Sequence, residues 1–137
     1  MAEYIVKRFG RDHIGITNEL KRWWGIHMGA VLSDSVFSDD GYLITDDEGR
    51  YLVSSFLYRI KGCETALMGF PIANPELDKE LRASALHILT TVIESDAKRF
   101  NYRYLISYAG SKGAEALFSR EGYRIMDQNV TNFGKVL

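Results

Sequence analysis

The stretch from Glu64 to Phe100 constrains the fold more than any other. It opens with Thr65-Ala66-Leu67-Met68-Gly69-Phe70-Pro71-Ile72-Ala73, where every side chain is apolar or small. Such a run without polar alternation is the pattern of a strand covered on both faces. Pro71 has no N–H for a ladder, so the strand is expected to lose a partner or bulge near its C-terminal end. Asn74-Pro75-Glu76 then reads as a helix start, with Asn74 as N-cap, Pro75 at the first helical position and an acid in the first turn. Leu77, Leu81, Ala85, Ile88, Leu89 and Val92 recur at spacings of three and four, which predicts one buried face of a helix over Leu77–Phe100. A buried strand, an opened edge and a helix aiming its N-terminus at that opening together make a ligand site.

The rest of the chain must be built around that unit. With 137 residues there is room for one domain, taken as 1–137, and one core. Apolar residues at 46% and charged residues at 26% are globular usage rather than that of a disordered chain. A net charge of -1 argues against a nucleic-acid partner or an anionic membrane surface. The single cysteine, Cys63, excludes an internal disulfide, and no apolar segment reaches membrane-spanning length or stands at the start as a signal peptide would. The expectation is a cytoplasmic protein without a membrane segment.

Tyr4–Phe9 reads as a first strand ended by Gly10. Asp12 is the expected cap of a helix on which Ile16, Leu20, Trp23, Trp24 and His27 share a face, and Gly25 and Gly29 suggest a break before a second short helix around Ile26–Leu32. Tyr42–Thr45 and Tyr51–Tyr58, joined by Asp46-Asp47-Glu48-Gly49, form a hairpin that the Lys61-Gly62 turn extends into an antiparallel meander. After the long helix come a strand over Tyr102–Tyr108, a short helix through Ala114, Leu117 and Phe118 closed by Gly122, and closing strands at Tyr123–Met126 and Val130–Leu137. The order is β-α-α-β-β-β-α-β-α-β-β, a mixed α+β chain. The length of the crossover helix predicts parallel pairing of the strands on either side of it.

This order, together with Ser111-x-x-Ala114-x-x-Leu117-Phe118-x-x-x-Gly122-Tyr123, resembles the GNAT superfamily, the GCN5-related N-acetyltransferases, over nearly the whole chain. The matching family pattern is Asn-x-x-Ala-x-x-Leu-Tyr-x-x-x-Gly-Phe. The resemblance implies a GNAT fold with a mixed, mostly antiparallel central sheet. It also implies acetyl-CoA bound where Leu67–Ala73 and Arg103–Tyr108 splay apart, and transfer of the acetyl group to the amine of a small molecule or a protein. Carried over position by position, it implies cofactor contacts at Phe70, Ile72, Lys79, Arg82, Ala83 and Ser111, and an acceptor site lined by Trp23, Trp24 and His27 of the first helices. The family's base corresponds to Glu64, and Tyr108 and Tyr123 are the nearby replacements for the family's proton-donating tyrosine.

The departures are equally specific. The family's phosphate loop, Arg/Gln-x-x-Gly-x-Gly/Ala, corresponds here to Asp78-Lys79-Glu80-Leu81-Arg82-Ala83, in which only Ala83 fits. Glu76, Asp78 and Glu80 suit the positive end of a helix dipole and for that reason compete with a diphosphate, while Lys79 and Arg82 offset part of their charge. Ser111 stands where the family has Asn, and Phe118, which has no proton to give, where it has Tyr. Glu64 also reads as a solvated charge at a strand start, and the tryptophans as core. His13, His27 and His87 lack metal-ligand spacing, so no metal is expected. Two functions of different class follow. One is an acetyl-CoA-dependent N-acyltransferase with an altered phosphate site. The other is a GNAT-like binding or structural protein without catalysis, acting through a protein partner or a second copy, as in small bacteriophage GNAT-like proteins that lack the glycine loop.

Overall fold

A computed structural model of the chain describes residues 3–29, 31–109 and 111–128, and residues 131, 134, 135 and 137 singly. Five strands form one sheet in sequence order: β1 (Tyr4–Phe9), β2 (Asp40–Asp46), β3 (Tyr51–Arg59), β4 (Thr65–Ala73) and β5 (Tyr104–Ile106). Three α-helices, α1 (Ile14–Met28), α2 (Lys79–Arg99) and α3 (Lys112–Arg120), flank it, with a 3-10 turn at Asp34–Val36. β1 to β4 pair antiparallel, and β4 pairs parallel with β5 through Thr65↔Tyr104, Ala66↔Leu105 and Leu67↔Ile106. The parallel register across the α2 crossover is therefore as the helix length predicts.

Each face of the sheet carries its own hydrophobic cluster. Ile16, Leu20 and Trp23 of α1 pack with Phe9, Leu43 and Phe56 on one face. Ala85, Leu89 and Ile93 of α2 and Phe118 of α3 pack with Ile44, Leu57, Ala66 and Met68 on the other. Strand parity would keep Ala66, Met68, Phe70 and Ile72 on one face. Instead, Phe70 and Ile72 pack with the α1 cluster while Ala66 and Met68 pack with α2. The β3–β4 register supplies the reason, shifting between Phe56↔Gly69 and Ser54↔Ile72. The extra residue is a bulge at Phe70-Pro71, and Phe70 has φ +52°, a conformation that non-glycine residues adopt at a cost of order 1–3 kcal/mol.

Asp96 of α2 is buried at 4% exposure. It accepts from Arg8 Nε at 2.9 Å and Nη2 at 3.1 Å, from the Tyr42 hydroxyl at 2.6 Å and from Arg99 Nη2 at 3.3 Å. This carboxylate ties β1, β2 and α2 together. Burial alone would raise its pKa, but the hydrogen bonds from Arg8, Tyr42 and Arg99 outweigh burial and bring it to about 2.

Several local expectations are corrected. α2 begins at Lys79 with Asp78 as N-cap, its Oδ1 accepting from Leu81 N–H at 2.8 Å. Asn74 instead organises the turn before the helix. Its Oδ1 accepts from Glu76 N–H and its Nδ2 donates to Tyr51 O, which fastens the end of β4 to β3. α1 is capped by His13, whose Nδ1 accepts from Ile16 N–H, rather than by Asp12, and it runs unbroken to Met28 before Gly29 ends it at φ +64°. Tyr123–Met126 is not a strand. Gly122 at φ +88° lets Tyr123 N–H close α3 on Phe118 O, and the Tyr123 ring turns inward onto Phe118. Its hydroxyl then donates to Glu94 of α2, so the segment is bound to the helices and not to β5. The expected strand over Val130–Leu137 falls largely outside the described residues.

Candidate functional site

The β4–β5 ladder ends at Leu67↔Ile106, while β4 stays paired to β3 through Ala73. Beyond Leu67 the two strands diverge, three residues before the bulge and earlier than Pro71 alone predicts. Two side chains span the gap. Ser107 Oγ donates to Met68 O at 2.8 Å, and Phe70 N–H donates to the Tyr108 hydroxyl at 3.0 Å. Together they offer the β4 edge one donor and one acceptor, which is the hydrogen-bonding complement that an amide group presents. Sequence reasoning missed Ser107; its small polar side chain next to the expected splay was the available signal.

Phe70 is the hub of this region. Its ring meets Trp24 at 5.7 Å, Phe37 at 5.8 Å, Tyr58 at 6.3 Å and Tyr108 at 6.4 Å between centroids. The approach is close enough that a Cβ on Gly69 would lie 2.5 Å from the Tyr58 ring. Trp24 and His27, one turn apart on α1, both reach β4, since His27 Nε2 donates to Ala73 O at 2.8 Å. A carbonyl only accepts, so Nε2 carries the proton and Nδ1 holds the lone pair in the neutral ring. Burial raises the Tyr108 pKa and the hydrogen bond from Phe70 N–H only partly offsets this, so the phenol keeps its proton at neutral pH.

The structure thus brings Trp24 and Tyr108 onto Phe70, with Ile72 in the same cluster, while His27 meets β4 three residues further on, at Ala73. The other residues singled out by the sequence stand elsewhere. Trp23 is fully buried in the α1 cluster, its Nε1 donating to Glu19 at 3.0 Å. Glu64 is exposed just before Thr65, facing Arg103 at 3.9 Å, and lies about six strand positions, roughly 20 Å, from Phe70. Tyr123 is engaged with Glu94 between the helices. Ser111 caps α3 by accepting from Ala114 N–H at 3.1 Å. Lys79, exposed, and Arg82 and Ala83, half-buried, sit in the first turns of α2, beside the exposed Glu76, Asp78 and Glu80. The cap by Asp78 already places a carboxylate on a first-turn amide that an incoming anion would use.

Two open hollows lie away from the bulge. One, of about 250 Å³, is lined by Arg8, Phe9 and Asp39 to Tyr42; the other, of about 450 Å³, by Arg11, Asp12, Ile14, Asp34 and Ser35. Three of their acids are matched within the chain, Asp39 by Arg11, Asp40 by Arg59 and Asp34 by Lys21, while Asp12 has no salt bridge among the described residues; neither hollow contains a strained residue or an unpaired buried donor. Among the described residues no cluster of three or more His, Cys, Asp or Glu side chains is placed to hold a metal, and no helix is long and apolar enough to cross a membrane.

The mixed five-stranded sheet flanked by three helices matches the fold of GNAT acetyltransferases of known structure. Similar solved structures include an aminoglycoside acetyltransferase, meta-AAC0020, from an uncultured soil metagenomic sample in complex with sisomicin (TM-score 0.63, 13% identity, covering 98% of this chain and 96% of that one). The aminoglycoside N-acetyltransferase AAC(6')-Iy in complex with CoA is similar at TM-score 0.63 and 11% identity, over 99% and 97% of the two chains. Rv2747 from Mycobacterium tuberculosis, in complex with CoA and NLQ, is similar at TM-score 0.67 and 11% identity, over 93% and 76%. No family model matches the sequence, and no curated protein matches it.

Proposed function

We propose that the protein is an acetyl-CoA-dependent N-acyltransferase acting on an amine at the β4–β5 splay. The observation that carries this reading is the pairing of Phe70 N–H with the Tyr108 hydroxyl where the two strands part. The amide-bearing arm of CoA fits the edge that Ser107 and Tyr108 now bridge, because Met68 O accepts and Phe70 N–H donates there. The diphosphate end fits less well, given the Asp78 cap and the flanking acids. Acetyl-CoA supplies an activated acyl group as its thioester. The Tyr108 hydroxyl carries a proton suited to a leaving sulfur. His27 Nδ1 is the lone-pair nitrogen that α1 offers for the proton an attacking amine gives up. CoA-bound neighbours of the same fold support the donor, and the sisomicin-bound neighbour supports a small-molecule amine as acceptor.

The second reading, a binding protein of this fold without catalysis, is favoured by the capped and acidic start of α2. Thermal unfolding with acetyl-CoA separates the two. A ligand bound only by the folded state at about 100 times its Kd stabilises by about 2.7 kcal/mol and raises Tm by several degrees. That rise, with CoA released only when an amine is added, is the expected result. An unchanged Tm at millimolar acetyl-CoA leaves the non-catalytic reading.

A further inference from the structure

We propose that the acceptor side of this site takes an amine with an aromatic body that also offers a hydrogen-bond acceptor to Trp24 Nε1. The proposal rests on the acyl-transfer reading and adds the class of acceptor. Trp24 Nε1 is buried and has no partner, alone in this among the described residues' side-chain nitrogen and oxygen atoms. A buried N–H without an acceptor is costly, and native proteins rarely leave one. The contrast with the adjacent Trp23, whose Nε1 is taken by Glu19, is direct. Trp24 stands edge-on to Phe70 at an interplanar angle of 75°, so the unpartnered donor belongs to a ring in contact with the bulge.

The walls point the same way. Phe37, Tyr58 and Tyr108 meet the same Phe70 ring that Trp24 meets, and the cluster is not sealed, since Tyr108 is 40% exposed and Phe70, Tyr58 and Trp24 are half-buried. A further ring extends such an edge-to-face array. The charges fit a polycation poorly. Glu19 is held by Arg22 and Trp23, and Asp34 by Lys21 at 2.9 Å. The sisomicin of the similar acetyltransferase is a polyamine, and on this face Glu19 and Asp34 are already engaged, which leaves it the exposed Glu76 near Arg22.

The test is a titration of ¹⁵N-labelled protein with phenylalaninamide, which combines an aromatic ring, an amine and an amide carbonyl, and separately with sisomicin, each with and without CoA. The Trp24 indole N–H signal is expected to move downfield with phenylalaninamide while that of Trp23 stays. Trp24→Phe is expected to weaken phenylalaninamide about fivefold, the effect of one hydrogen bond, at unchanged Tm. Sisomicin is expected to bind about tenfold more weakly than phenylalaninamide. No movement of the Trp24 signal with or without CoA, equal affinity in Trp24→Phe, or tighter binding of sisomicin overturns the proposal. The thermal test with acetyl-CoA alone reports separately on acyl transfer. Acetyl-CoA binding without a phenylalaninamide response refutes only the acceptor class, and the reverse refutes only the acyl-transfer reading.

Discussion

Asp96, a buried carboxylate, and Phe70, a residue in a strained backbone conformation, depart from regular apolar packing in opposite ways. Asp96 is a buried carboxylate saturated by donors from Arg8, Tyr42 and Arg99. Phe70 holds a strained φ beside an indole N–H without a partner and a phenol with a proton to give. A polar group with every bond made rigidifies the fold; a strained site with bonding capacity in reserve is where a ligand can gain. The first therefore reads as architecture and the second as function.

The largest effect expected from breaking this contrast is at Asp96. Asp96→Ala leaves the Tyr42 hydroxyl and two guanidinium groups without their common partner and should cost about 3 kcal/mol in urea unfolding. Its pH dependence has a definite sign. The folded pKa lies below the unfolded value of about 4, so the stability it contributes is present above pH ~4 and is lost as pH falls through about 2. Asp96→Asn should flatten that acid limb.

At the other region the effect falls on rate. Tyr108→Phe should lower kcat about 10²-fold with acetyl-CoA affinity retained within a few-fold, because it removes one proton donor and leaves the β4 edge in place. Steady-state kinetics with calorimetric binding separates the two quantities. Gly69→Ala is next. Its Cβ would strike the Tyr58 ring, and moving that ring disturbs the hydroxyl bond to Val36 O and the packing on Phe70, at about 1–2 kcal/mol in thermal unfolding. The smallest effect is at the start of α2. Asp78→Asn with Glu80→Gln keeps a capping side chain and removes two charges, and should tighten acetyl-CoA binding several-fold by calorimetry, about 1 kcal/mol.

The apolar run from Thr65 to Ala73 was legible as a covered strand, and Pro71 signalled a fault in it, because both follow from backbone chemistry. The bulge's consequence was not legible. Nothing in a row of small and apolar side chains says that Phe70 and Ile72 will turn to the face opposite Ala66 and Met68. The start of α2 was misplaced because Asn74 and Asp78 are both good caps, and only the bond from Asn74 Nδ2 to Tyr51 O decides which one ends the turn. Asp96 lay in view on the stripe running through Leu89 and Ile93, yet a carboxylate there reads as solvated until Arg8, 88 positions away, is brought to it. Of the residues named from the sequence, Trp24 and Tyr108 meet Phe70 and His27 bonds to Ala73 O on the same strand, whereas Glu64 lies at that strand's far end.

On the proposed reading, the reserve of bonding at Phe70, and not the hollow beside Arg8 and Gly41, receives acetyl-CoA. Backbone amide shifts during titration with acetyl-CoA test it most directly. Phe70, Ser107 and Tyr108 are expected to move most, as the ligand replaces the bonds to Met68 O and Phe70 N–H, while Arg8, Tyr42 and Asp96 stay within error. Shifts centred on Arg8 to Tyr42, or none at millimolar acetyl-CoA, would contradict it.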